Sequence, residues 1–183
     1  FFTEDINAIS EEKENKDIND TLLKLIDEKK IIQYDKGIYF IPKKSDFLYP
    51  TISINQVIRK KFLYDERNNK IIGFESGINF ANQLGLTTQT AAVSNIVTNN
   101  EKSKEREIEI SGFRILLRKP IIPITNSNYK LLRVLDLLKN YERLSERTVS
   151  EGMKRIDEYL KDVKMSKSDY DMLMKASVNL ISK

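Results

Sequence analysis

Any chemistry in this chain must run on carboxylates, lysines, tyrosines and serines, because 183 residues include no histidine and no cysteine. A Ser-His-Asp triad, a cysteine nucleophile and the usual zinc ligand sets are all excluded. Carboxylate-held magnesium stays formally open, but no paired-carboxylate motif can be placed. The glycines offer little more. Gly73 and Gly77 stand four apart without the Gly-Lys-Ser/Thr ending of a phosphate loop, so no phosphate cradle is argued. The expectation is a protein without catalysis, cofactor or metal.

The pattern that does carry chemistry lies near the start. Ile18, Leu22, Leu25 and Ile26 repeat at helical spacing and predict an amphipathic helix from about Asp17 to Lys30. Steps of 100° place Lys16, Asp20, Lys24 and Asp27 opposite that stripe, with Asn19 and Leu23 flanking. Lys16 and Lys24 suit phosphates or guanine, and Asn19 suits adenine. Asp20 and Asp27 do not suit phosphates, and Lys-Asp-Lys at four-residue spacing also reads as a self-paired helix surface.

The elements around this helix give it a setting. Thr3, Glu4 and Asp5 open a short helix ending near Ile9, and residues 10–16 are a charged turn. After the amphipathic helix the period falls to two. Ile31 to Gln33 and Gly37 to Ile41 flank a turn at Tyr34 to Gly37, a hairpin signal closed by Pro42. Helix, turn, helix, two-stranded ribbon is the winged helix-turn-helix order, whose usual first helix would lie upstream of Phe1. Lys36 at the wing tip and Lys43 and Lys44 just after it add to the DNA-facing set.

Residues 1–44 are assigned to this domain and 45–183 to a second, α+β domain. Ser53 caps a helix carrying Ile54, Val57, Ile58 and Phe62, and Arg59, Lys60 and Lys61 end it as a possible phosphate or partner contact. Residues 65–70 are a polar turn. Residues 92–98, 107–110 and 113–118 read as strands of a small antiparallel sheet. Its Arg106, Arg114 and Arg118 line a partner or nucleic-acid surface, or else the wet face of a half-buried sheet. Tyr129 to Leu144 reads as one helix buried on several sides, as a deep core or a dimer seam. Val149 to Val163 and a last helix from Ser168 complete a helical C-terminus.

Charge is uneven. Residues 1–44 hold 8 Lys/Arg against 10 Asp/Glu, and residues 45–135 hold 13 against 8. The basic middle faces an acidic partner or nucleic acid, or is simply a solvated surface. No apolar run approaches the ~20 residues of a membrane helix. The start at Phe1 reads as a fragment or processed product, and the lack of cysteine fits a cytoplasmic, bacterial-type protein.

Residues 73–89 contain three of the six glycines and a row of amides. Ile78, Ala81 and Leu84 share a helix face, Gly85 sits where a left-handed residue ends a helix, and Leu86 supplies the apolar contact of a Schellman ending. The run Ser76-Gly77-Ile78-Asn79-Phe80-Ala81-Asn82-Gln83-Leu84-Gly85-Leu86-Thr87-Thr88-Gln89 resembles the AbiEi-type antitoxins of bacterial abortive-infection toxin–antitoxin systems, in particular their shorter relatives. Leu25 to Ile31, with Lys36-Gly37-Ile38-Tyr39-Phe40 and Pro42, resembles that family's helix and wing. The likeness covers about residues 1–125. It implies a transcriptional repressor of its own operon that antagonises a nucleotidyltransferase-like toxin. The winged helix would carry operator binding, through Lys16, Asn19, Lys24 and the wing around Lys36, and the following domain the antitoxin role. The acidic balance of residues 1–44, with Asp20 central on the reading face, departs from this and shifts phosphate contact toward Arg59, Lys60 and Lys61. Double-stranded operator DNA, a cognate toxin and a second copy of the chain are the expected partners, with no membrane. The alternative is a protein-interaction module that binds a partner through the basic sheet and C-terminal helices without specific DNA binding.

Overall fold

The change of period after residue 30 marks a change of element. A computed structural model describes Phe2, residues 15–42 and 52–164, and Lys167 and Asp171, with the side chains of residues 15–17 left out. The expected helices at Thr3–Ile9 and from Ser168 onward, and Lys43 and Lys44, lie outside the described residues. The chain divides into two compact units, residues 1–57 and 58–183, in a mixed α+β arrangement.

In the first unit, helix α1 (Asn15–Asp27) precedes an antiparallel hairpin of β1 (Ile32–Asp35) and β2 (Ile38–Phe40). Ile18, Leu22, Ile31 and Tyr39 form its small core, with Leu25 and Ile26 packed against it. These are the apolar positions of the helical stripe and of one hairpin face, so burial follows both periods. Phe2 makes an isolated antiparallel bridge to Ile38, and both side chains are buried. Helix α1 ends in a Schellman motif: Lys30 N–H donates to Leu25 O and Lys29 N–H to Ile26 O, both at 2.9 Å. The left-handed position is filled by Lys29, at φ 55°, where glycine is the usual residue.

Helix α2 (Ile54–Ile58) lies at the division between the units. Ser53 caps it as expected, its Oγ accepting from Gln56 N–H (3.2 Å) while its own N–H donates to Gln56 Oε1 (2.9 Å). The expected continuation to Phe62 is a π-helical turn, Arg59–Leu63. It leads into a short hairpin, β3 (Tyr64–Asp65) and β4 (Lys70–Ile71), around the expected polar turn.

A four-stranded sheet organises the second unit: β5 (Gly73–Ser76), β6 (Ser94–Thr98), β7 (Glu105–Ile110) and β8 (Phe113–Arg118), in the order β5-β6-β8-β7. The expectation of an antiparallel sheet needs correction. β5–β6 and β7–β8 are antiparallel, but the central pair β6–β8 is parallel. Chain reversal at Ser111-Gly112 makes β7 and β8 a hairpin, and that hairpin turns β8 into the space beside β6. Residues 73–76 form an edge strand of this sheet.

Helix α3 (Gly77–Gln83) follows β5 directly. Helix α4 (Tyr129–Lys139) is separated from α5 (Tyr141–Leu144) at Asn140, whose φ of −123° and ψ of 19° break the single helix expected over 129–144. Helix α6 (Val149–Leu160) opens with a full capping box between Thr148 and Glu151. Phe80, Ala81, Leu86, Val134, Leu137, Tyr141, Ile156 and Leu160 bury together as the main core. Close approach is built into it: a Cβ on Gly152 would lie 1.8 Å from Tyr141 Oη. That hydroxyl donates to Thr148 O at 2.9 Å, so the ring is held against α6.

Candidate nucleic-acid interface

In the first unit the core-facing stripe of α1 leaves the opposite side to solvent. Asn19, Asp20, Leu23, Lys24 and Asp27 are exposed. Lys16 lies within the helix but its side chain is not described. At the hairpin tip, Gly37 takes φ 73° and Lys36 is exposed. The Lys36 N–H donates to Asp35 Oδ1 at 2.6 Å, which fixes the turn that carries it. A register irregularity between Gln33 and Asp35 bends the strand just before this tip. The surface therefore holds one amide, one isobutyl group and Lys24 and Lys36, together with Asp20 and Asp27.

The basic residues expected in the second unit are largely engaged within it. The Arg59 guanidinium lies 4.8 Å from the centroid of the Tyr64 ring. Lys60 Nζ pairs with Glu66 at 2.9 Å, both well exposed, so the pair contributes little to stability. The Lys61 carbonyl accepts from Asn100 Nδ2 at 3.0 Å, which holds the turn after β6 beside the π-helical turn. Arg114 Nε donates to Glu107 across the β7–β8 hairpin at 2.6 Å. That hydrogen bond holds the Glu107 carboxyl below its ordinary value and the Arg114 guanidinium above its own. Arg106 bonds through Nε and Nη2 to Glu101, a carboxylate only 3% exposed at the β6–β7 turn.

Arg118 is committed most fully. Its Nη1 and Nη2 donate to Asp136 Oδ1 (3.0 Å) and Oδ2 (2.8 Å), and Nη2 reaches Ser76 Oγ (2.7 Å). Ser76 Oγ in turn donates to Asp136 Oδ2. Burial pushes the Asp136 carboxyl up, but the hydrogen bonds from Arg118 and Ser76, with the charges of Arg118 and Lys139, bring it below the ordinary value. β5, β8 and α4 meet at this cluster. For Arg118 to bind a phosphate it would have to leave a bidentate carboxylate, the strongest common ion-pair geometry.

The amides of residues 73–89 likewise have internal partners. Asn82 Nδ2 donates to Thr87 O (3.3 Å) and Gln89 O (3.2 Å), and Asn79 Nδ2 reaches Ser94 Oγ (3.5 Å). Gln83 Nε2 donates to Glu75 Oε2 (3.2 Å), while its Oε1 accepts from Arg133 Nη2 (2.7 Å). Arg133 also stacks 3.9 Å from the Phe80 ring centroid. The Thr87-Thr88-Gln89 run wraps the Glu146 carboxylate. Thr87 Oγ1 donates to Oε1 (2.8 Å), and the Thr88 N–H (3.2 Å) and Oγ1 (3.3 Å) donate to Oε2. These bonds, led by that of Thr87, hold the Glu146 carboxyl below its ordinary value.

The helix ending predicted at Gly85 is present in full. Gly85 takes φ 66°, its N–H donates to Asn82 O (2.8 Å), and the Leu86 N–H donates to Ala81 O (2.9 Å) with Leu86 fully buried. Arg155 Nη1 adds a bond to Leu84 O (3.1 Å). The stretch is thus a joint, with Phe80, Ala81 and Leu86 buried and the exposed Asn82, Gln83 and Gln89 side chains hydrogen-bonded within the protein. The sequence reading missed Ser76, Asp136, Arg133 and Glu146. Their partners stand 18 to 60 residues away, and no local spacing marks them.

Among the described residues no group of three or more carboxylates is placed to hold a metal ion, and no helix is long and apolar enough to cross a membrane. No protein-family model, curated protein or solved structure matches the chain.

Proposed function

We propose that this chain is a DNA-binding, antitoxin-type regulator that acts without catalysis, a winged helix-turn-helix unit reading duplex DNA and the second unit engaging a toxin. The observation that carries the DNA half is one continuous exposed row on α1 followed at once by a hairpin with Lys36 at its tip. Phe2 bridging Ile38 adds the outer contact that a three-stranded wing would make. A recognition helix presents such a row to base edges in the major groove, while the wing reaches the backbone. The toxin half, with a nucleotidyltransferase-like protein as target and repression of the chain's own operon in the cytoplasm, rests on the likeness of residues 25–42 and 76–89 to AbiEi-type antitoxins. Binding of the full chain to its promoter duplex, followed across a salt series, tests the reading. Specific binding with a clear negative salt slope is expected. Affinity equal to that for unrelated duplex would overturn it.

A second reading, a protein-interaction module without specific DNA binding, draws on one feature. Ile121 is 87% exposed and Ile122 42%, adjacent large apolar side chains between Pro120 and Pro123. Co-purification with the product of the adjacent gene, abolished by Ile121→Asp, would favour it over operator binding.

A further inference from the structure

Helix α1 carries an anomaly on its solvent side. Leu23 is 65% exposed, the sole large apolar side chain turned to water among those described on this helix. It stands among Asp20, Lys24 and Asp27, all exposed. It also stands one helical turn beyond Asn19, likewise exposed, on the flank nearest Ile26. Residues four apart are ~6 Å apart along the axis and ~40° apart around it, so the amide and the isobutyl group form one ridge.

We propose that Asn19 and Leu23 are the specificity ridge of α1 and read separate A·T base pairs, within two steps of each other, in the major groove. The Asn19 carboxamide pairs with an adenine N6/N7 edge, and Leu23 packs on a thymine C5-methyl. This deepens the reading of α1 as the groove-facing helix and rests on it. Two features converge on A·T: an amide matches the donor and acceptor of adenine, and thymine alone offers a methyl group in the groove. A ridge ~6 Å long spans about two base-pair steps at 3.4 Å each, so the two contacts fall on separate pairs, up to two steps apart, rather than on one. The acidic face weakens phosphate attraction, so affinity must rest on base edges and on the few backbone contacts of the wing.

The test begins with the full chain selecting duplexes from a library with a randomised core. In the enriched duplex each thymine is then replaced singly by uracil, which removes only the methyl group. At one position this should weaken wild-type binding roughly fourfold, the worth of one buried methyl. Leu23→Ala should lose affinity on the thymine duplex and become indifferent to that replacement. Asn19→Ala should weaken binding roughly tenfold or more and lose discrimination against 7-deazaadenine at a pair within two steps of that thymine. Both positions are exposed, so melting midpoints should match wild type. An enriched duplex bound equally well with thymine or uracil throughout overturns the ridge while leaving DNA binding standing. Enrichment of guanine at the pair facing Asn19 does the same. No enrichment at all overturns the ridge together with the DNA-binding reading beneath it.

Discussion

Arg118 on strand β8 and Asp136 on helix α4 are joined by two parallel hydrogen bonds, 3.0 and 2.8 Å long, and share Ser76 as a third member. The two side chains are 27% and 18% exposed, so the pair lies between the surface and fully buried cases.

Removing one partner should therefore cost more than a surface pair does. Arg118→Ala is expected to destabilise the protein by roughly 2 kcal/mol at pH 7, between the surface and buried limits. Because the Asp136 carboxyl is held down in the folded state, its stabilisation is present above the unfolded carboxylate value of about 3.9 and is lost as pH falls through the folded value. Urea titrations of wild type and Asp136→Asn should show a gap at pH 7 that narrows below about pH 4. A gap that stays constant would show that the carboxylate charge plays no part.

Two helix ends make opposite predictions. Gly85→Ala should lower stability by about 1 kcal/mol or more, since alanine is strained at positive φ. The added Cβ would also press to 2.7 Å from Arg155 Nη1, which can move. Lys29 occupies the same backbone position at the end of α1, so Lys29→Gly should raise stability by about 0.5 kcal/mol. Melting midpoints moving in the same direction for both variants would contradict the shared geometry.

Gly152 tests packing by sign. In an open helix Gly→Ala gains up to about 1 kcal/mol. Here the Cβ would enter the Tyr141 ring, within 2.8 Å of three of its atoms. Gly152→Ala is expected to cost about 2 kcal/mol, as overpacking does. Any gain in denaturation midpoint would mean that the ring is free to move aside.

Glu146 gathers donors from Thr87, Thr88 and Gln89, and its replacement should be felt locally. In Glu146→Ala the Thr88 amide loses its acceptor and should exchange with solvent faster, while the amides of β6 and β8 keep their protection. Equal acceleration throughout the sheet would show instead that the contact supports the whole unit.

Charge on the surface proposed to face DNA gives a last prediction. Lys36→Ala should weaken duplex binding about equally for all sequences and reduce the salt slope by about one. An unchanged slope would remove the hairpin tip from the interface.

Much of the local structure was legible because it rests on short-range rules. The stripe Ile18, Leu22, Leu25 and Ile26 located α1, the shift to alternation located the hairpin, and Gly85-Leu86 marked a helix end that the backbone bonds reproduce. What could not be read depends on distant partners. Alternation reveals that Ile115 and Leu117 share a face, but not that β8 lies parallel to β6. Arg118 looked like a free basic residue because Asp136 is far enough along the chain to seem unrelated. Tyr129 to Leu144 is apolar enough for one helix, and nothing in its periodicity signals the break at Asn140. The candidate interface was placed by periodicity alone, and the one element of it not weighed as a reader of bases was Leu23, an apolar residue on a charged face.

The strand order β5-β6-β8-β7 carries a consequence for the chain as it is made. Of this sheet's strands β8 is the last synthesised, yet it fills the middle. Until residue 118 has left the ribosome, β6 offers a bare edge carrying Ile96 and Val97, a template for pairing with another nascent chain. The β7–β8 hairpin closes that edge in one step, so a chain stopped within it is left open where the finished protein is sealed. Abundance of the intact protein is thereby tied to completion of a few residues around Ser111-Gly112, and slow translation there should increase loss to aggregation.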